Sequence, residues 1–351
     1  MRNHKNVSAK RPFRIGITPD FATQGREVLD LGIEKVLKLA PGVEWEYMPD
    51  TAGVAMPDVL NCYDAALVLD YRFPAGSFAG VERLAIIARW GVGYDQIDVP
   101  ACTKACVILA NTPDSVGLPV AEGALGLIFA LAKNVRAHDR NCRAGRWREQ
   151  APVGLNLAGK TLGVVGLGNI GRELFRLARG VGFRRLLAYV RTAPDVQEAA
   201  ADVEYTDLDT VMRESDFISI HCPLNKQTRG LIGARQLALM KPTAYLINTA
   251  RGPIVDEPAL ITALREHRIA GAGLDVFDTE PVPAGHPLLA MENVIVSPHV
   301  IARTHECIRD TSISSCRSVA AVSQGNAPPY IVNREVLDFP KMQEKLARYQ
   351  P

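Results

Sequence analysis

Three polar residues stand just beyond apolar runs in the second half of the chain: Arg251 after YLINTA, Glu280 after GLDVFDT and His299 after VIVSP. A guanidinium is a forked donor matched to a carboxylate, and an imidazole exchanges a proton near neutral pH. A carboxylate beside that imidazole orients it and favours its protonated form. Any one of the three alone suits a cap or a surface position equally well. A stronger signal precedes them. KTLGVVGLGNIGREL places Gly166, Gly168 and Gly171 directly after an apolar strand pattern and at the opening of a helix pattern. In that setting the spacing indicates a dinucleotide turn: one glycine for the tight bend, one for close approach of the pyrophosphate, one for helix-on-strand packing. Free N–H groups of the helix N-terminus would receive the anion.

The next strand pattern, RRLLAYV, ends in Val190, Arg191 and Thr192, with the nearest acid, Asp195, beyond Pro194. A carboxylate at this place usually holds the ribose 2′-hydroxyl of NAD. Its absence, with Arg191 and Thr192 available to a 2′-phosphate, favours NADP over NAD.

These residues need strands to present them. Apolar runs alternate with helical patterns along most of the chain, the signature of an α/β fold with mainly parallel sheets. One series of strands is expected at 13–18, 65–69, 84–89 and 107–110, with a helix around 24–39. A second is expected at 161–165, 185–190, 217–221, 244–248, 270–274 and 294–297. Six strands with intervening helices make one doubly wound Rossmann domain, whose ligands sit beyond the carboxyl ends of its strands. Between the two series, 119–133 reads as a long helix apolar on more than one side, followed by a charged segment holding Trp147.

Composition removes other classes. The 351 residues are 47% hydrophobic and 22% charged, ordinary for globular domains and long enough for two. Net charge is +2, and five basic residues precede the first acid, Asp20, so no basic face for nucleic acid is implied. No run approaches the roughly 18 consecutive apolar residues of a membrane span. No apolar segment resembling a secretory signal precedes residue 15, so the cytoplasm is the default location. Seven cysteines without a CxxC pair read as reduced thiols, and the grouping His299, His305, Cys307 lacks zinc-ligand spacing; no metal is expected.

Across roughly residues 60–330 the sequence resembles the D-isomer-specific 2-hydroxyacid dehydrogenases. The strings that carry the resemblance are RWGVGYDQIDV, VAEGALGLIFALAKN, GKTLGVVGLGNIGRE, HCPLNKQTRGLI, LINTARGPIVDEPAL, AGAGLDVFDTEP, HPLL and NVIVSPH. It implies NAD(P)-dependent reduction of a 2-oxo acid to a D-2-hydroxy acid. Arg251 would grip the substrate carboxylate, His299 donate the proton, and Glu280 orient His299 and raise its pKa. Val92 and Gly93 would add backbone donors for the carboxylate. Cofactor contacts are implied for Gly166, Gly168, Asn169, Ile170, Gly171, Arg191 and Thr192. Further contacts are implied for His221, Cys222, Pro223 and Thr228, for Thr249 and Ala250, and for Asp275 at the nicotinamide carboxamide or ribose.

The resemblance also implies a Rossmann domain (118–302) inserted into a flavodoxin-like α/β substrate domain (1–117 with 303–340). Residues 341–351 are left as a tail. The reaction would take place between the domains, with hinges near Gly117 and Ala302. A homodimer is expected through the long helix and the Trp147 segment.

Some residues depart from the family pattern. Val300, Ile301 and Arg303 are bulky where small residues usually follow the catalytic histidine, and Trp90 could line the substrate site. Asp70 stands where a phosphoglycerate enzyme would offer a basic residue, with Arg72 as a candidate substitute. A small or medium unphosphorylated acid such as glyoxylate or hydroxypyruvate is therefore expected. Two rivals share this fold: an NAD(P)-sensing, corepressor-like binding protein and a formate-dehydrogenase-like relative, the latter disfavoured by Glu280.

Overall fold

The computed structural model describes residues 11–23, 27–148, 151–191 and 201–350. They form two compact units, one running through Val116 and resuming at Thr304, the other comprising Gly117–Arg303.

The first unit is built on five parallel strands, β1 (Phe13–Ile17), β2 (Val43–Tyr47), β3 (Ala65–Val68), β4 (Ile86–Arg89) and β5 (Ile108–Ala110). Their order is β2-β1-β3-β4-β5, the flavodoxin-like arrangement. Side chains alternate across a strand, and both faces here are apolar. Ala65, Leu67, Ile86 and Ala88 enter one core cluster, and Ala66, Val68, Ile87 and Leu109 enter another.

β2 was not expected. Its sequence, VEWEY, alternates acids with apolar residues, and it pairs only with β1, so as an edge strand it keeps a wet face. On one face of the sheet lies the helix Glu27–Lys35, shorter than expected, with residues 24–26 outside the described set. It packs closely on the helix His305–Ser323 through Gly32, where an added Cβ would lie 2.3 Å from the Ser312 carbonyl oxygen. Gly32 N–H donates to Ser312 Oγ at 2.8 Å, and that hydroxyl donates to the Leu29 carbonyl at 3.0 Å.

The segment read as a tail is structural. Pro340–Ala347 is a helix, with Met342 and Lys345 buried. Lys345 Nζ donates to the carbonyls of Leu84 (2.7 Å), Cys106 (3.0 Å) and Ala105 (3.4 Å). Burial lowers its pKa to about 8.

The second unit contains seven parallel strands, β6 (Thr161–Val165), β7 (Arg185–Tyr189), β8 (Val203–Tyr205), β9 (Phe217–Ile220), β10 (Tyr245–Asn248), β11 (Gly271–Leu274) and β12 (Val294–Val296). The order β12-β11-β10-β9-β6-β7-β8 is the doubly wound Rossmann pattern, reversing direction between β6 and β9. β8, three residues long at an edge, is the one strand here that was not expected.

The long apolar helix spans Pro113–Ala132, starting six residues before the expected Pro119. Pro113 suits the first helical position, with Asp114 in the first turn. Pro119 lies inside the helix instead of opening it. The helix has the length and apolarity of a membrane span, and about half of it is buried within the protein. Ala121, Ala124, Leu127 and Ile128 enter a core cluster with β6 and β7 residues.

Candidate active site

At the end of β6 the chain turns through Gly166, whose φ of +95° is open to glycine. An added Cβ there would lie 2.5 Å from the Cys222 backbone nitrogen, so the loop after β9 rests directly on this turn. Among the described residues no atom lies within 4 Å of a Cβ built on Gly168. At Gly171 a Cβ would lie 2.8 Å from the Gly166 carbonyl, so the helix Asn169–Val181 packs close to its strand. That helix begins at Asn169 and Ile170 with Gly168 as its N-cap, which offers no side-chain acceptor. Its first N–H groups are therefore available to an anion. The bend, the open face and the uncapped N-terminus fit a dinucleotide's pyrophosphate.

Arg191 lies just past β7, exposed, with Nη1 donating to Gln227 Oε1 at 3.1 Å. Sequence reasoning did not single out Gln227. Thr192 lies outside the described residues.

Gln227 belongs to the loop after β9. His221 N–H donates to the Val165 carbonyl at 2.8 Å and its Nε2 pairs with Ser219 Oγ at 2.8 Å. Its Nδ1 is buried and without a partner among the described residues. Burial lowers the His221 pKa to about 3, so the ring is neutral and is not a second general acid. Burial likewise pushes the Cys222 thiol up to about 11, which makes it a poor nucleophile.

Thr228 Oγ1 donates to the Pro223 carbonyl at 2.6 Å and accepts the Asn225 N–H at 2.8 Å. Its hydroxyl thus shapes the loop. The Thr249 hydroxyl, beyond β10, is buried and unpartnered among the described residues, as His221 Nδ1 is. Both suit a bound polar ligand.

Asn248 governs the turn that carries Arg251: its Oδ1 accepts the Ala250 N–H at 3.0 Å and its Nδ2 donates to the Arg251 carbonyl at 2.9 Å. Arg251 Nη1 donates to the Ala250 carbonyl at 2.7 Å. Glu280 follows β11 and uses both oxygens. Oε1 accepts the Phe277 N–H at 2.9 Å and Oε2 lies 2.7 Å from His299 Nδ1. Partial burial alone would raise the Glu280 pKa, but the hydrogen bond and charge of His299, with help from Arg251, bring it below the usual value. Glu280 is therefore ionised at neutral pH.

His299 sits at φ +56°, a left-handed conformation rare for a non-glycine residue. Asp275 stabilises it. The Asp275 carbonyl accepts the His299 N–H at 2.8 Å, and its carboxylate accepts the N–H groups of Val300 at 3.0 Å and Ile301 at 3.2 Å. Expected as a cofactor contact, Asp275 is 2% exposed and visibly anchors the histidine loop. With Nδ1 committed to Glu280, Nε2 is the His299 ring nitrogen left for other partners. Ile301 does not stand free beside it. A Cβ built on Gly123 would lie 2.4 Å from Ile301 Cγ1, so Ile301 is packed on the long helix.

Val92 and Gly93 belong to the other unit, in the turn after β4. There Gly91 has φ +123°, its N–H donates to Thr112 Oγ1 at 2.9 Å, and Asn111 Nδ2 donates to the Val92 carbonyl at 3.0 Å. Trp90 packs against the core, edge-on to Phe21 with ring centroids 6.5 Å apart.

Comparison with known proteins agrees with this geometry. The family model described as D-isomer specific 2-hydroxyacid dehydrogenase, NAD binding domain, matches residues 125–300. A glyoxylate reductase from Korarchaeum cryptofilum is 38% identical over 317 residues, 89% of this chain and 95% of that protein. One from Thermofilum pendens is 42% identical over 284 residues, 80% and 82% of the two chains. Among solved structures, an NADPH-dependent glyoxylate/hydroxypyruvate reductase from Sinorhizobium meliloti in complex with NADP and malonate is 30% identical. It superposes with a TM-score of 0.79 over 92% of this chain and 97% of that one. A parallel seven-stranded sheet with a glycine turn at its reversal point, a histidine–glutamate pair beyond its strands and these similarities lead to one assignment. The chain belongs to the D-isomer-specific 2-hydroxyacid dehydrogenase family.

Proposed function

We propose that the protein reduces a small, unphosphorylated 2-oxo acid such as glyoxylate or hydroxypyruvate to its D-2-hydroxy acid, reversibly, using NADP in preference to NAD. The observation that carries the reading is the 2.7 Å contact between His299 Nδ1 and ionised Glu280, which leaves Nε2 to give or take the proton. When bound, the reduced nicotinamide supplies the hydride from its C4. The protein's own residues do the rest. Arg251 holds the substrate carboxylate by its fork and polarises the 2-oxo oxygen. His299 Nε2 donates a proton to that oxygen, and Glu280 balances the charge on the ring. Gly166, Gly168 and the helix opening at Asn169 hold the pyrophosphate, and His221 and Thr249 offer their unpartnered polar atoms to the rest of the cofactor. Arg191 beside Gln227, with no acid at the end of β7, supports the NADP preference. Exposed Phe129, Val135 and Trp147 support a homodimer across the long helix and the segment after it.

A spectrophotometric panel of 2-oxo acids with NADPH and with NADH tests this. Turnover with glyoxylate or hydroxypyruvate, at higher kcat/KM with NADPH, is expected. In the same assay His299→Asn should lose about 10²–10⁴-fold in kcat, with NADPH affinity little changed. Near-normal turnover in that variant would reject the assignment, and no turnover with any acid would favour a sensor.

A further inference from the structure

The segment that presents Glu280 runs from Phe277 to His286 and is largely exposed from Asp278 to Gly285. Within it Val282 packs against the core. Both ends of the segment meet on one side chain. Glu257 Oε2 accepts the Asp278 N–H at 3.1 Å, and Glu257 Oε1 lies 3.0 Å from His286 Nε2. Each side chain of the pair is 16% exposed. His286 Nδ1 is buried with no partner among the described residues, so the ring's hydrogen bonding is committed to Glu257. The same ring stands edge-on to Phe277, with centroids 6.3 Å apart.

Glu257 is itself held in place. It is the first residue of the helix Glu257–Arg265, next to Pro258 and behind Asp256, whose carboxylate accepts the Ala259 N–H at 3.0 Å. It also lies a few residues after Arg251 on the same stretch of chain. In between, Gly252 is pressed on the Glu280 segment: a Cβ there would lie 1.9 Å from the Phe277 carbonyl carbon.

We propose that Glu257, paired with His286, is a positioning residue for the reaction. It ties both ends of the Glu280 segment to the start of the helix that follows the Arg251 turn, and so keeps the Glu280 carboxylate within hydrogen-bond reach of His299. The inference rests on the roles proposed above for His299 and Glu280. The residue types suit this task. A carboxylate has an acceptor for each end of the segment. A glutamine has one acceptor and one donor, so it can serve Asp278 only by turning its NH₂ towards His286. His286 must then carry its hydrogen on the buried Nδ1, where it has no partner.

The test is Glu257→Gln in the full-length protein, assayed with NADPH and the best 2-oxo acid. Misplacing Glu280 should lower kcat about ten- to a hundredfold and leave the KM for NADPH unchanged. The His299 limb of the pH–rate profile should move in the same direction as in Glu280→Gln, and Glu257→Gln should add little to kcat loss in a Glu280→Gln background. Unchanged kcat and pH profile, whatever the melting temperature, would overturn the proposal and leave the pair a plain structural staple. Amide hydrogen exchange without substrate supplies a readout independent of turnover. The Asp278–His286 segment should exchange at least about tenfold faster in the variant. Should the wild type reduce no 2-oxo acid, the proposed function fails by itself, and unchanged exchange in this segment would still reject the clamp.

Discussion

A histidine whose ring nitrogen is buried makes stability depend on pH even where it transfers no proton. His221 has an ordinary pKa of 6.5 in the unfolded chain and about 3 when folded, because burial disfavours its charged form. Between those values the unfolded chain binds a proton that the folded one does not, so stability is full above 6.5 and falls as pH drops towards 3. Replacing His221 by Gln should flatten that fall by an amount on the order of a few kcal/mol, read from denaturant midpoints at pH 7 and pH 4. An identical slope in both proteins would mean that another group dominates. Arg251, Glu280 and His299 were legible in the sequence because each follows an apolar run, and in a parallel sheet strand ends are where ligands lie. Glu257 and His286 were not legible. They are separated by 29 positions and neither ends a strand, so their meeting depends on packing between a helix start and a loop. Asp275 was implied as a cofactor contact by the family pattern alone, and its hydrogen bonds to the backbone of Val300 and Ile301 were not legible.

At the scale of elements, two tendencies oppose each other at Gly32. Alanine in place of a helical glycine gains about 1 kcal/mol in propensity. Here its methyl would meet the Ser312 carbonyl at 2.3 Å and disturb the hydrogen bond to Ser312 Oγ. Overpacking costs about 1–3 kcal/mol, with the strained hydrogen bond adding about 1 kcal/mol. Gly32→Ala should therefore lower the melting temperature by several degrees, whereas a rise would show that the two helices separate easily. A central strand such as AALV was legible as an unbroken apolar run, because a strand covered on both faces has no polar side. The edge strands β2 and β8 escaped because acids interrupt their apolar residues, VEWEY in one and VEY in the other. The start of the long helix was misplaced because Pro119 was taken as its opening, when Pro113 takes that role.

For the whole molecule, each unit has apolar clusters of its own among the described residues. Two are drawn from residues 13–110 and 316–349, and two from residues 121–301. A fragment comprising 117–303 should accordingly fold alone and bind NADPH, seen as a cooperative melt and a shift in nicotinamide fluorescence. A chain without a melting transition would refute that. The order of synthesis gives Lys345 a further meaning. The inserted unit leaves the ribosome whole, whereas the unit that begins first still lacks the helix His305–Ser323 and the ammonium group that joins the Leu84, Ala105 and Cys106 carbonyls. Domains usually fold as units once their residues are available. The earliest strands must then wait, partly uncovered, while the younger domain matures, and it is there that a nascent chain would most need a chaperone's protection.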